Sequence, residues 1–251
     1  MMNKKIVIIT DCVDVAYTEM KLIIESECLK MWYSDLEFSL VPISEFSIIN
    51  ASFLVRLIAE VAIPWTVLSV VINPQRNRSP RIYGELKNNV LFFWANTWAL
   101  TWAIEDLWVN SLYEIHDPGF ISFWGKFVHA PNVAKLVAGK NFDEFWVPFA
   151  FEKLTSLEIP DGMIVHIDNF GLMKIKWKVP QAQNGQYFKV YKNWEYILDA
   201  VFANRMMGLD DKQRSLYAGS SLGFPELWSV RNKDGYKEIN AKIWDIITWE
   251  V

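Results

Sequence analysis

The N-terminal part of the chain alternates between short, continuous apolar runs and longer segments in which apolar residues recur with a helical period. Ile6–Thr10 and Trp65–Ile72 contain few polar residues, which is typical of strands buried on both faces, as in a parallel sheet. Asp14–Trp32 and Ile48–Ala62 have helical spacing, and Pro64 ends the second of these helices. Strands that alternate with helices predict an α/β domain with a mainly parallel sheet and helices on both faces.

Further elements continue this alternation. The pattern predicts strands over Leu36–Ile43 and Asn89–Trp94, helices over Thr97–Leu107 and Lys126–Val137, and a polar loop over residues 73–81. Three tryptophans have the spacing i, i+4, i+8 of one helix face: Trp94, Trp98 and Trp102. Such a stripe is more typical of a core or a subunit contact than of a cofactor site.

The pattern changes near Leu157–Gly162. Beyond this point short β-type runs are separated by turn residues, and no clear long amphipathic helix interrupts them: Met163–Ile167, Leu172–Trp177, Gln186–Tyr191, Ser215–Ala218, Leu227–Val230 and Ile239–Trp249. This series predicts an antiparallel, β-barrel-like sheet. We therefore divide the chain into an N-terminal α/β domain of residues 1–157 and a C-terminal β domain of residues 158–251.

Two aspartates follow the first buried strand. Asp11 stands directly after it, and the carboxyl ends of strands are where open α/β sheets bind their ligands. Asp14 can cap the helix that begins next. The alternative is that Asp11 is a turn residue and Asp14 only a cap, with no ligand at either.

Composition narrows the classes of function. Lys and Arg number 25 against 29 Asp and Glu, and this net charge of −4, without a basic block, makes nucleic acid an improbable partner. Two cysteines, Cys12 and Cys28, are too few for a disulfide framework. The most apolar segment contains Arg56, Glu60 and Pro64, which are costly in a membrane span. We expect a cytoplasmic protein that does not bind a membrane.

Several common catalytic signatures are missing. The first strand leads into TDCVD rather than a glycine-rich phosphate loop, and Gly219-Ser220-Ser221 lacks the G-x-S-x-G pattern of a nucleophile elbow. The histidines do not have metal-ligand spacing: His116, His129 and His166. We predict no metal and no resident cofactor.

Several ordered segments together resemble a known family. These are TDCVD followed by Met20-Lys21, the loop Val70–Arg81, SFWGKFVHAP (Ser122–Pro131), HIDNFG (His166–Gly171) and GSSLGFPEL (Gly219–Leu227). In this order they are similar to motifs of the S-adenosyl-L-methionine (SAM) hydroxide adenosyltransferases, or SAM hydrolases, and of the related fluorinase and chlorinase. HIDNFG, close to the family's His-Ile-Asp-x-Phe-Gly-Asn turn, is the most specific match.

The resemblance implies a homotrimer of α/β plus β-barrel subunits, with SAM as substrate or ligand between neighbouring subunits. It implies that Asp11 binds the ribose hydroxyls and that Phe170 packs near the ligand, while Phe202 is a weaker candidate for stacking on adenine. The residues implied around the methionine end are Asp14, Asp168 and Ser220 or Ser221.

The chain departs from the family where catalysis is concerned. The Asp, Arg and His thought to activate water fall on Asn73, Pro80 and Trp124, and neither an amide nor an indole is a base near neutral pH. Asn73 and the adjacent Arg81 are therefore the positional candidates. The serine slot of the halide-using relatives is Gly125, and the adenine-contacting Asn is Leu172.

Two hypotheses follow. The first is a divergent member that binds SAM or adenosine and hydrolyses SAM to adenosine and methionine. The second is a catalytically silent member, a pseudoenzyme that acts as a nucleoside-binding or structural trimer.

Overall fold

Strand β1 (Lys4–Thr10) lies inside a mixed sheet, and its side chains alternate between two cores. A computed structural model describes residues 4–72, 79–116, 119, 121–139, 146–205 and 209–251. The chain divides into two units, Met1–Leu157 and Glu158–Val251. Together they form a mixed α/β structure with two sheets, each of seven strands within the described ranges.

The first unit continues from β1 with these elements: α1 (Val15–Lys30), β2 (Leu36–Pro42), α2 (Ile48–Val61), β3 (Val67–Val71), β4 (Arg81–Leu86), β5 (Leu91–Ala95), α3 (Thr101–Leu107), β6 (Val109–Ile115), α4 (Ala130–Val137) and β7 (Trp146–Pro148). Ile6 and Ile8 pack in one core with residues of α1 and α4. Val7 and Ile9 pack in the other core with residues of α2 and α3. This alternation explains why β1 has an uninterrupted apolar sequence, because both of its faces are covered.

The strand order of this sheet is β2-β1-β3-β5-β4-β6-β7. The pairs among β2, β1, β3 and β5 are parallel, as the sequence pattern predicted. The pairs of β4 with β5, β4 with β6 and β6 with β7 are antiparallel, so the prediction of a mainly parallel sheet is correct for only part of it. At Gly84 in β4 an added Cβ would lie 2.2 Å from Phe92 Cζ, so the glycine lets the aromatic ring cross this strand.

The tryptophan stripe does not lie on one helix. Trp94 is in β5, Trp98 is in a 3₁₀ turn (Trp98–Leu100), and Trp102 is in α3. Trp94 is buried in the core, Trp98 packs against it, and the Trp102 ring lies 6.1 Å from that of Phe53 in α2. The prediction of a single helix stripe is wrong, whereas the core interpretation of these residues is confirmed.

The second unit contains the following elements: β8 (Met163–Ile167), β9 (Met173–Lys176), β10 (Tyr187–Lys192), β11 (Glu195–Phe202), β12 (Arg214–Ala218), β13 (Pro225–Ser229), α5 (Gly235–Glu238) and β14 (Ile247–Glu250). Their order in the sheet is β14-β10-β11-β12-β13-β9-β8. All neighbours pair antiparallel except β11 and β12, which are parallel. The prediction of a wholly antiparallel sheet is therefore wrong at this one pair.

The two ends of the second sheet meet. Met163, at the start of β8, forms a bridge with Ile246, the residue before β14. The Ile247 N–H donates to the Gly162 carbonyl at 2.7 Å, and the Ile164 N–H donates to the Asp245 carbonyl at 2.9 Å. The sheet therefore curls so that its first and last strands are in contact.

Within the described ranges, no helix has both the length and the apolar character needed to cross a membrane.

Candidate functional site

Asp11 lies at the carboxyl edge of the parallel strands, immediately after β1. Its Oδ2 accepts a hydrogen bond of 3.0 Å from the Phe46 N–H in the loop after β2. Its Oδ1 accepts a long contact of 3.7 Å from the Cys12 thiol, whose pKa is raised by burial and then by the negative charge of Asp11. Asp11 is half-buried, so it ties two loops together while part of its carboxylate faces outward.

Asp14 caps α1, as the sequence pattern predicted. Its Oδ1 accepts a hydrogen bond of 3.1 Å from the Ala16 N–H, and its side chain is exposed. The cap satisfies one of the N–H groups that the first turn of a helix leaves without a partner. Asp11 and Asp14 thus share one loop, but the contacts of Asp14 are those of a structural cap.

Arg81 and Trp124 lie together at the same sheet edge. Arg81 is the first residue of β4 and pairs with Ala95, the last residue of β5. Its guanidinium carbon lies 4.5 Å above the Trp124 ring, which is within the range of a cation–π contact. Its Nη1 donates to the Ser79 carbonyl at 2.6 Å. Pro80 precedes it, and the other positional candidate, Asn73, lies outside the described residues.

Gly125 opens a short π-helical turn, Gly125–His129, that leads into α4. An added Cβ would lie 3.0 Å from the Met20 sulfur and 3.3 Å from Val71 Cγ1. The slot that holds a serine in the halide-using relatives is therefore closely surrounded here by apolar side chains.

His129 ends the π-helical turn and is buried in the core of the first unit. Its Nε2 lies 3.0 Å from Ser69 Oγ in β3, and its ring meets that of Phe93 edge to face at 4.5 Å. Burial, reinforced by the positive charge of Arg81, lowers the pKa of His129 to about 3. The neutral imidazole is thus part of the core. Ser69 interrupts a buried apolar run, which is the one signal in the sequence that a polar partner was needed there.

In the second unit, Asp168 organises the turn between β8 and β9. Its Oδ1 accepts hydrogen bonds from the Phe170 N–H at 2.9 Å and the Leu172 N–H at 3.0 Å. Gly171 has a φ of +80°, and an added Cβ would lie 2.3 Å from the Lys233 carbonyl oxygen, so only glycine fits. The turn leaves the Phe170 ring 63% exposed and available for a contact.

A row of charged and polar side chains crosses the strands beside this turn. Lys174 Nζ in β9 lies 2.6 Å from Glu226 Oε1 in β13 and 3.8 Å from Asp168 Oδ2. The Tyr217 hydroxyl in β12 donates to Glu226 Oε2. Lys174 and Glu226 are both buried. Sequence reasoning missed Lys174 as part of the site, although Glu226 lies within one of the quoted motifs.

The same row affects two neighbouring residues. An added Cβ at Gly219 would lie 2.2 Å from Glu226 Oε1, so the glycine allows the carboxylate to reach its place beneath the β12–β13 turn. Burial, followed by the positive charge of Lys174, lowers the pKa of His166 to about 4, although Asp168 opposes this effect. The predicted motifs HIDNFG and GSSLGFPEL are therefore joined through Lys174 and Glu226.

The remaining candidates differ in exposure. Ser220 is exposed and Ser221 half-buried, both in the turn after β12. Phe202 is only 5% exposed at the end of β11, which leaves little of its ring for stacking on a base. Leu172 is buried, where the family has an amide that contacts adenine.

Across the parts of the chain that the structure describes, no three His, Cys, Asp or Glu side chains come together as a metal site.

Comparison with known proteins identifies the fold but no activity. No protein-family model matches the chain, and no curated protein matches it either. An uncharacterized conserved protein from Thermotoga maritima has a similar crystal structure, with a TM-score of 0.82 and 19% identity over 98% of this chain and 100% of that one. A conserved hypothetical protein from Thermus thermophilus is similar with a TM-score of 0.77 and 14% identity, over 99% of this chain and 100% of that one. At these identities the likeness is one of fold alone.

Proposed function

We propose that this protein binds SAM or adenosine as a divergent relative of the SAM hydroxide adenosyltransferases, with hydrolysis of SAM to adenosine and methionine as its reaction. The observation that carries the proposal is the state of Asp11. A carboxylate offers about four lone-pair positions, and only the Phe46 N–H occupies one of them at ordinary hydrogen-bond distance. Asp11 therefore retains acceptor capacity for two vicinal ribose hydroxyls at the edge where α/β sheets bind ligands.

The second unit supplies the other part of the proposed site. Phe170 presents an exposed ring, and Ser221 lies in a half-buried turn. The Oδ2 of Asp168 is the oxygen not used by the turn, although it shares the field of Lys174. The proposal also includes closure of the second sheet as a barrel, which the Met163–Ile246 bridge supports, and assembly as a homotrimer.

A second candidate function is that of a catalytically silent, nucleoside-binding or structural trimer. The contact between Arg81 and Trp124 favours it, because the cation that replaces the family's arginine is stacked on the residue that replaces its histidine. An arginine held in this way is placed to bind an aromatic ring and a carbonyl rather than a water molecule.

Binding and turnover are tested separately. We expect calorimetric titration to detect binding of SAM, adenosine or both, and Asp11→Asn to weaken it about ten- to hundredfold, as for the loss of a charged hydrogen bond. Asp35→Asn is the matched control, because exposed Asp35 precedes β2 at the opposite edge of the sheet, where its carbonyl accepts from Lys4.

Chromatography of SAM incubated with the protein then measures adenosine and methionine. Turnover that Asp11→Asn abolishes supports the hydrolase. Binding without turnover supports the silent form, and the absence of binding for both ligands contradicts the nucleoside proposal altogether.

A further inference from the structure

A cavity of about 190 Å³ lies in the first unit, at the end of β5 and beside α3. Its lining includes Trp94 and Ile104, which are buried, and Leu154, which is half-buried. Exposed lining residues form its mouth, and these include Glu105, Phe151 and Glu152. It is separate from the residues around Asp11 and lies on the core that packs against α2.

The walls of this cavity are braced by hydrogen bonds. Asn96 Nδ2 donates to the Lys153 carbonyl at 3.0 Å, and its Oδ1 accepts from the Thr155 N–H at 3.2 Å. Thr101 Oγ1 donates to the Thr155 carbonyl at 2.7 Å. The segment after β7 is therefore fastened to the start of α3. A cavity held in this way is preorganised, which reduces the ordering cost that a ligand would otherwise meet.

The charge of the lining is one-sided. Two glutamates belong to it, and no lysine or arginine does among the described residues. Glu105 lies in the last turn of α3, where the helix dipole also favours a cation, and the Phe151 ring at the mouth can attract a cation through its face. An apolar floor with an acidic, aromatic mouth fits a small molecule that is apolar at one end and cationic at the other.

We propose that this cavity binds a small organic ammonium ion. The alkyl groups would pack on Trp94 and Ile104, and the positive charge would lie between Glu105 and Glu152. The cavity is smaller than the pockets of roughly 300–1,000 Å³ that hold drug-sized ligands, so the ligand is an alkylammonium of few atoms rather than a nucleoside.

The probes for this proposal are choline, tetramethylammonium and butylammonium, titrated at millimolar concentration by calorimetry. The neutral control is 3,3-dimethyl-1-butanol, which has the shape of choline without its charge. We expect at least one ammonium ion to bind, and the neutral isostere to bind about tenfold more weakly or not at all.

Two variants test the location. The double variant Glu105→Gln/Glu152→Gln should lower the affinity about tenfold, and Ser156→Trp, at an exposed position of the lining, should abolish binding by filling the mouth. The control Glu25→Gln/Glu37→Gln makes the same charge change elsewhere in the first unit, at side chains paired with Lys21 and Lys5, and should bind like wild type.

Equal binding of choline and its neutral isostere would overturn the proposal. So would unchanged binding in both cavity variants, or the absence of binding for all three ammonium probes.

Discussion

Lys174 and Glu226 form an ion pair of 2.6 Å inside the second sheet, directly opposite each other on β9 and β13. Only 11% of the Lys174 side chain and 3% of the Glu226 side chain are accessible to solvent. A charge in this position is tolerated only while its partner is present, because desolvation of an isolated ion is expensive.

Lys174→Met should therefore destabilise the protein strongly. The substitution leaves Glu226 buried without its cation, and we expect a loss of about 3–5 kcal/mol in the free energy of unfolding. Urea denaturation measures this loss. The double variant Lys174→Met/Glu226→Gln should lose less than the sum of the two single variants, since the residues interact directly. Lys189→Met, at an exposed position of β10 in the same sheet, is the control. A Lys174→Met variant as stable as this control would contradict the prediction.

Asp168 should matter to the turn more through its oxygen than through its charge. Asp168→Ala removes the acceptor of two backbone N–H groups, and we expect a cost of about 1–3 kcal/mol. Asp168→Asn keeps an oxygen at that place and should cost clearly less. Thermal or urea unfolding of both variants decides the matter, and equal losses would show that the charge facing Lys174 dominates instead.

Gly219→Ala should be destabilising because of a steric conflict with Glu226. The new methyl group would lie 2.2 Å from a buried carboxylate oxygen, and overpacking of this kind costs about 1–3 kcal/mol. Gly125→Ala is the comparison, since its nearest contact is the flexible Met20 side chain at 3.0 Å. We expect the second variant to lose less stability than the first. The opposite order in urea unfolding would mean that the β12–β13 turn can move away from Glu226.

His129 should make stability depend on pH below neutrality. Its pKa is about 3 in the folded protein and 6.5 in the unfolded chain, so between these values the unfolded state binds more protons. Stability contributed by the neutral imidazole is complete above pH 6.5 and falls as the pH drops toward 3, by at most about 1.4 kcal/mol per pH unit.

The measurement is the difference in unfolding free energy between wild type and His129→Asn at several pH values. Other titrating groups contribute equally to both proteins and cancel. We expect the difference to shrink as the pH falls from 6.5. A difference that is constant over this range would contradict the buried, neutral state of His129.

Local patterns predicted the first half of the first sheet well. β1 and α1 follow from the apolar run Ile6–Thr10 and from the cap at Asp14, and both signals involve residues near each other in the chain. β4 and β6 were not predicted because their sequences, RIYGEL and VNSLYEI, mix polar and apolar residues. Their strand character comes from pairing with β5 and with each other, which is a property of the tertiary structure.

The candidate site shows the same division. Asp11 could be placed at the end of a strand from sequence alone. The pair Lys174–Glu226 could not, because 52 positions separate the two residues and charges in short strands usually face solvent. His129 and Ser69, separated by 60 positions, are a second example. Each of these contacts depends on packing or strand register that no local pattern contains.

The bridge between Met163 and Ile246 has a consequence for self-association. Backbone N–H and C=O groups along an open sheet edge can pair with a strand of another chain and start aggregation. In the second unit, β8 meets the segment that leads into β14, and the N–H groups of Ile164 and Ile247 are already bonded across this junction. The outer strands therefore use part of each other's hydrogen-bonding capacity, which makes this stretch of the sheet a poor template for intermolecular β-pairing.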